Sequence, residues 1–192
     1  MNVKKIALIS IALIFIRSHP STSSFDMQWK HMQNEYKKLC NSLNEQHLYE
    51  KEKQYVHPYW QTTKEEIKKF ILGAPERNFL GNWDIGYNMV RRQMGVAQSY
   101  EICYLEHCIS EQTRNQLALF TESDFGLLDK DCFQFNCSSN TLGHLYYVAK
   151  VLEHKKDLPL NTIVEFGSGY GNLAHIFKSV IPHATIFLID LP

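Results

Sequence analysis

The chain has 192 residues, with Lys+Arg 20 against Asp+Glu 20, 44% hydrophobic and 21% charged, which excludes a disordered tail or a collagen-like fibre. A formal net charge of zero, with both signs mixed along the chain, supplies no electrostatic footprint for nucleic acid or an anionic membrane. Any partner must be recognised by local chemistry.

Lys4 and Lys5 precede an apolar run from Ile6 to Ile16, broken by Ser10, and a polar stretch follows through Ser24. This is the layout of a secretory signal peptide over residues 1–24. The run is well short of the roughly 20 residues that span a bilayer as a helix, so no stable anchor is expected. The alternatives are a later start at Met27 or Met32, or a weak membrane contact through residues 4–16. Without residues 1–24, about 168 residues remain, enough for one domain of ordinary size.

From Phe25 the apolar positions Phe25, Trp29, Met32, Tyr36, Leu39 and Leu43 fall on one helical face, with Asp26 as the expected cap. His57-Pro58 ends any helix there. Thr63 with Glu66 makes a capping box that opens a short helix through Leu72, closed by Gly73. Residues Ala74 to Val90 read as a structured loop, in which Trp83-Asp84 would suit a substrate surface and the aromatics would otherwise anchor the loop on itself. Helices are expected from Arg91 towards Ile109, and from Ser110 and Glu111 through Phe120. The region 25–137 is thus mostly helical. Another helix follows over Ser138 to Glu153, with Asn140 as N-cap and Leu142, Leu145, Tyr146, Ala149 and Leu152 on one face. His144 and Tyr147 point elsewhere, either over a cofactor or into satisfied packing.

The cysteines Cys103, Cys108, Cys132 and Cys137 form two C-x4-C pairs, and Cys40 stands apart. In an exported protein the pairs would become disulfides. Four thiolates would otherwise suit zinc, although this spacing is at the long end for a structural site. Buried thiols are the reading for a cytosolic chain.

The segment that carries chemistry is TIVEFGSGYGN, Thr162 to Asn172. Ile163, Val164 and Phe166 make a short strand of the kind buried in a parallel sheet. Glycines at 167, 169 and 171 follow, then Leu173, Ala174, Ile176 and Phe177 at helical spacing. Pro182 and His183 turn the chain into a second strand, Ala184 to Ile189, which ends at Asp190. This is a β-α-β unit of the expected length. Its glycines let a ligand approach the backbone, and the helix after them directs N–H groups and a positive dipole end at the site. Asp190 lies where an acid accepts hydrogen bonds from a ribose diol. Together these describe a nucleoside-bearing cofactor. A dinucleotide fingerprint would require glycine or alanine where this chain has Asn172.

The pattern acidic-x-G-x-G-x-G, Glu165 to Gly171, resembles motif I of class I S-adenosylmethionine-dependent methyltransferases. With S-S-x-x-L-x-H-L-Y-Y at Ser138 to Tyr147, E-F-G-S-G-Y-G-N-L-A at Glu165 to Ala174 and L-I-D-L-P at Leu188 to Pro192, the chain is similar to sugar O-methyltransferases found beside polysaccharide biosynthesis genes in bacteria. The resemblance covers mainly residues 138–192. It implies a Rossmann-like domain beginning at residue 138, and S-adenosyl-L-methionine held by Glu165, Gly167, Ser168, Gly169, Tyr170, Gly171 and Asp190. It further implies methyl transfer to a hydroxyl of a small-molecule or polysaccharide-precursor sugar; no nucleic-acid partner, as the charge balance indicates, and no metal are expected. The general base is not placed on any residue.

Such a methyltransferase sheet has seven strands, and this sequence writes two. The fold class expected is therefore α/β, a mostly helical N-terminal region followed by the first β-α-β of an incomplete sheet. A half-sheet of this kind leaves an open edge and an uncovered apolar face. The alternative function is a non-catalytic helical remnant, or an exported interaction protein, in which the glycines only turn the chain. An active methyltransferase would be cytoplasmic, where its cofactor is made; a working signal peptide would export the chain.

Overall fold

A computed structural model describes residues 25–45, 58–73, 80, 95–125, 130, 132–155 and 159–189. The signal-like segment 1–24, nearly all of the loop at 74–90, and Asp190 lie outside the described residues. The architecture is α/β, mostly helical with two parallel strands. In chain order the elements are α1 (Phe25–Glu45), α2 (Pro58–Leu72), α3 (Gly95–His107), α4 (Glu111–Leu117), a 3-10 turn (Phe133–Phe135), α5 (Ser139–His154), β1 (Thr162–Phe166), α6 (Asn172–Val180) and β2 (Thr185–Ile189). No described helix is long and apolar enough to cross a membrane.

Several boundaries differ from the sequence expectation, each for a local reason. Asp26 sits inside the first turn of α1, where its charge meets the positive end of the helix, and is not the residue before it. Helix α2 begins at Pro58, five residues ahead of the expected capping box. Proline is well suited to a first helical position because the N–H it lacks has no partner there. Helix α4 stops at Leu117, capped by Ala118, short of Phe120.

Two apolar clusters hold these elements. The larger joins Leu105 of α3, Leu142, Leu145, Val148 and Leu152 of α5, and Ile176, Phe177 and Val180 of α6, with Ile163 and Ile186 of the strands packed against it. Helix α5 is its centre and packs against α3, α4 and α6. The smaller cluster joins Trp29, Met32 and Tyr36 of α1 to Ile71 of α2, Leu80 and Tyr170. A Trp29–Phe70 edge contact at 5.3 Å and the Gln33 amide, which donates to the carbonyls of Ile71 and Gly73 at 2.9 and 3.0 Å, fix α1 on α2.

Two carboxylates cap helices far away in sequence. Glu153, near the end of α5, accepts from the Ser110 N–H and hydroxyl at 2.9 and 2.6 Å and from the Thr113 hydroxyl at 2.5 Å, all at the start of α4. Glu122, after α4, accepts from the Ser138 N–H at 2.7 Å, the Ser138 hydroxyl at 2.6 Å and the Thr141 hydroxyl, at the start of α5. Each negative charge faces a helix N-terminus, where free N–H groups and the helix dipole favour it. The N-cap of α5 is accordingly Ser138, whose hydroxyl accepts from the Thr141 N–H. Asn140, expected in that role, lies inside the helix.

The strands pair in parallel from Thr162 with Thr185 to Phe166 with Ile189. Alternation sends Ile163 and Ile186 towards the helices and Val164, Phe166 and Phe187 to solvent, with Phe166 76% exposed. Among the described residues the sheet thus carries the uncovered apolar face expected of two strands alone.

Candidate functional site

The loop between β1 and α6 is shaped by backbone geometry. Gly167, Gly169 and Gly171 have φ of 70°, 52° and 83°, in the left-handed region that side chains disfavour. The Gly167 N–H donates to the Ile189 carbonyl at 2.8 Å and the Gly171 N–H to the Ser168 carbonyl at 2.7 Å. The loop is therefore fastened to the carboxyl end of β2, immediately before Asp190. Among the described residues, a Cβ built on Gly167 would meet no atom within 4 Å beyond its chain neighbours, so these residues leave the space beside this backbone open. Gly171 occupies the N-cap of α6 and supplies no side-chain cap, which leaves the first turn of that helix facing the loop.

The remaining residues of the loop are held from below. Ser168 and Tyr170 are buried, the Tyr170 ring among the aromatic and aliphatic side chains of α1 and α2. The Tyr170 hydroxyl accepts from the Asn140 amide at 2.7 Å. Asn172 is buried as well, and its amide donates to the Thr141 hydroxyl at 2.9 Å and meets His144 Nδ1 at 3.1 Å. Glu165 is half-buried and lies opposite Leu188 in the strand register.

The structure therefore brings Glu165, Gly167, Ser168, Gly169, Tyr170 and Gly171 together at one strand end. It gives them supports that the sequence did not point to: Glu122, Asn140 and Thr141, one polar network beneath the loop. Asn140 and Thr141 share the sequence signal of the run Ser138, Ser139, Asn140, Thr141 ahead of an apolar helix, which marks a helix start without naming its partners; Glu122 lies outside that run. His144 belongs to the same network through Asn172. Tyr147, which shares its helix, is exposed and contacts the Tyr146 ring. The four described cysteines are not gathered into a metal site: Cys103 and Cys108 are exposed thiols, Cys132 and Cys137 buried ones, and no cluster among the described residues could hold a metal ion.

Burial pushes the Tyr170 hydroxyl well above the ordinary tyrosine value, and the nearby Glu122 charge adds to the rise. Folded protein thus holds this proton more tightly than unfolded chain does. The stability it contributes is complete below about pH 10, the unfolded tyrosine value, and is lost as pH rises beyond it. Tyr104 and Tyr146 are shifted in the same direction. Urea unfolding at a series of alkaline pH values should show stability declining past this point, with a shallower decline in Tyr170→Phe. Equal slopes in the two proteins would refute the assignment.

No protein family matches this chain, and no curated protein or solved structure is significantly similar to it.

Proposed function

We propose that the chain binds S-adenosyl-L-methionine over the glycine loop, as the first β-α-β of a Rossmann-like domain, and serves methyl transfer to a sugar hydroxyl. The observation that supports this is the set of three left-handed glycines between a parallel strand end and an uncapped helix, with open space at Gly167. The residues present fit such a cofactor. Gly167 and Gly169 let the backbone lie against it, and the start of α6 offers N–H donors. Asp190, next after the Ile189 carbonyl that holds the loop, is the acid for the ribose hydroxyls. Glu165 supplies negative charge at the end of β1. Tyr170 and Ser168, turned inward, position the loop from beneath.

The group itself would supply a sulfonium methyl, the electrophile that a sugar oxygen approaches in line. A dinucleotide is the poorer fit. The third glycine of its fingerprint permits close helix–strand packing, whereas Asn172 fills that position with a buried amide committed to Thr141 and His144.

Isothermal titration of the purified chain with S-adenosylmethionine, S-adenosylhomocysteine and NAD tests the reading. The first two should bind in the micromolar range, about −8 kcal/mol, and NAD should give no heat. Binding of NAD alone would transfer the site to nicotinamide chemistry. Absence of binding by all three would favour a helical protein whose glycines only turn the chain.

A further inference from the structure

We propose that Cys132 and Cys137 form a thiol–disulfide exchange site that takes a low-molecular-weight disulfide through the cavity beside α4. The inference is independent of the methyl-donor reading. The two residues face each other across an antiparallel bridge: the Cys132 N–H donates to the Cys137 carbonyl at 3.0 Å and the Cys137 N–H to the Cys132 carbonyl at 3.4 Å. A mutually hydrogen-bonded antiparallel pair places its Cα atoms about 5.5 Å apart, within the span a disulfide accepts. Directly opposed side chains leave the same face of the ribbon. Closure therefore asks the Cβ atoms to approach by about 1 Å, a small inward adjustment of the two backbone segments. The connecting turn is already tight: residues Phe133–Phe135 form a 3-10 turn and Asn136 has φ of 50°.

The two thiols differ in access. Cys137 is 3% exposed at the protein surface but lines a cavity of about 330 Å³, bounded also by Leu105, Arg114, Leu117, Phe135 and Leu145. That volume is at the lower end for a small-molecule pocket, and its walls are mixed, with Thr121, Glu122, Asn136 and Arg114 set among the apolar side chains. Cys132 is 1% exposed, lies outside that lining, and its sulfur accepts from the Gln98 amide at 2.7 Å. This asymmetry sets the order of events. Cys137, as its thiolate, attacks one sulfur of the incoming disulfide. The S–S bond of the small molecule breaks, a mixed disulfide forms on Cys137, and one thiolate leaves. Cys132, as its thiolate, then attacks the Cys137 sulfur and expels the second thiolate. Both leaving groups take up the protons given up by the two cysteines. The protein loses two electrons and two protons, and the small disulfide is reduced to two thiols. The closed form fixes the turn directly before Ser138, the residue Glu122 holds at the start of α5.

The test uses 2-hydroxyethyl disulfide on the native chain, followed by alkylation in denaturant and peptide mapping. Wild type should yield a Cys132–Cys137 link, with neither residue alkylated. Cys132→Ser should stop with a hydroxyethylthio group on Cys137, and in Cys137→Ser the Cys132 thiol should stay alkylatable. Wild type with both residues alkylated, or with links joining either of them to Cys103 or Cys108, overturns the proposal. Modification of Cys132 in Cys137→Ser as readily as of Cys137 in Cys132→Ser overturns the entry route. Far-UV circular dichroism establishes that each variant is folded, and the wild-type map decides the pairing whether or not they are.

Discussion

Glu122→Ala should cost about 3 to 5 kcal/mol of folding stability. Glu122 is 9% exposed and its two oxygens receive three donors: the Ser138 N–H, the Ser138 hydroxyl and the Thr141 hydroxyl. A hydrogen bond to a charged group contributes about 1.5 to 3 kcal/mol, and a buried donor left without an acceptor carries its own desolvation cost. Alanine also removes the negative charge from the start of α5, the helix at the centre of the larger core. Glu122→Gln should be milder, about 1 to 2 kcal/mol. Its amide oxygen can still take the Ser138 N–H, while the two hydroxyls rotate and accept from the amide nitrogen. Urea unfolding of the three proteins separates these cases. A loss below about 1 kcal/mol for alanine, or equal losses for both variants, would show that the carboxylate is not the anchor of α5.

Gly167→Ala should abolish measurable binding of S-adenosylmethionine while leaving the fold intact. At φ of 70° the alanine costs roughly 1 to 2 kcal/mol in the left-handed region. The added methyl meets no atom of the described residues within 4 Å beyond its chain neighbours, so it projects into the space the cofactor is proposed to occupy. Loss of that contact surface and steric exclusion together should weaken binding at least about a hundredfold, or 2.7 kcal/mol. Gly169→Val makes the useful contrast. A β-branched residue at φ of 52° strains the loop itself, so this variant should lose stability and binding together. Parallel calorimetry and unfolding distinguish them, and wild-type affinity in a folded Gly167→Ala protein would sink the proposed site.

The parts of the structure that a reader of the sequence can find are those written in consecutive residues. The alternating glycines and the stripe Leu173, Ala174, Ile176 and Phe177 appear where their spacing puts them, and Ile163 to Phe166 forms the expected strand; Val164 and Phe166, read as buried, are exposed because no described element covers that face. The apolar face of α5 is legible for the same reason. Its start is not. Asn140 is as good a cap as Ser138 by residue type, and the choice between them is made by Glu122, 16 residues upstream. With Ser138 taken by that carboxylate, the Asn140 amide is available to Tyr170, 30 residues downstream. Ser110 is recognisable as a cap, but its bond to Glu153 spans 43 residues and leaves no trace in any sequence window. The start of α2 is not legible, because proline in a sequence reads as a stop, whereas here it serves as a first helical residue.

The two long-range carboxylate caps are reciprocal. The charge that starts α4 is carried by the last turns of α5, and the charge that starts α5 follows directly on α4. Opening the first turn of α4 strands Glu153 at the wrong end of its own helix, while releasing the segment that carries Glu122 withdraws the anchor of α5. Neither helix can fray by itself without raising the cost of keeping the other, so the pair is expected to open as a single cooperative unit. Because Thr141 bonds Glu122 on one side and Asn172 on the other, that unit ends at the foot of the glycine loop. The loop's rigidity is in this sense borrowed from two helices that precede it in the chain.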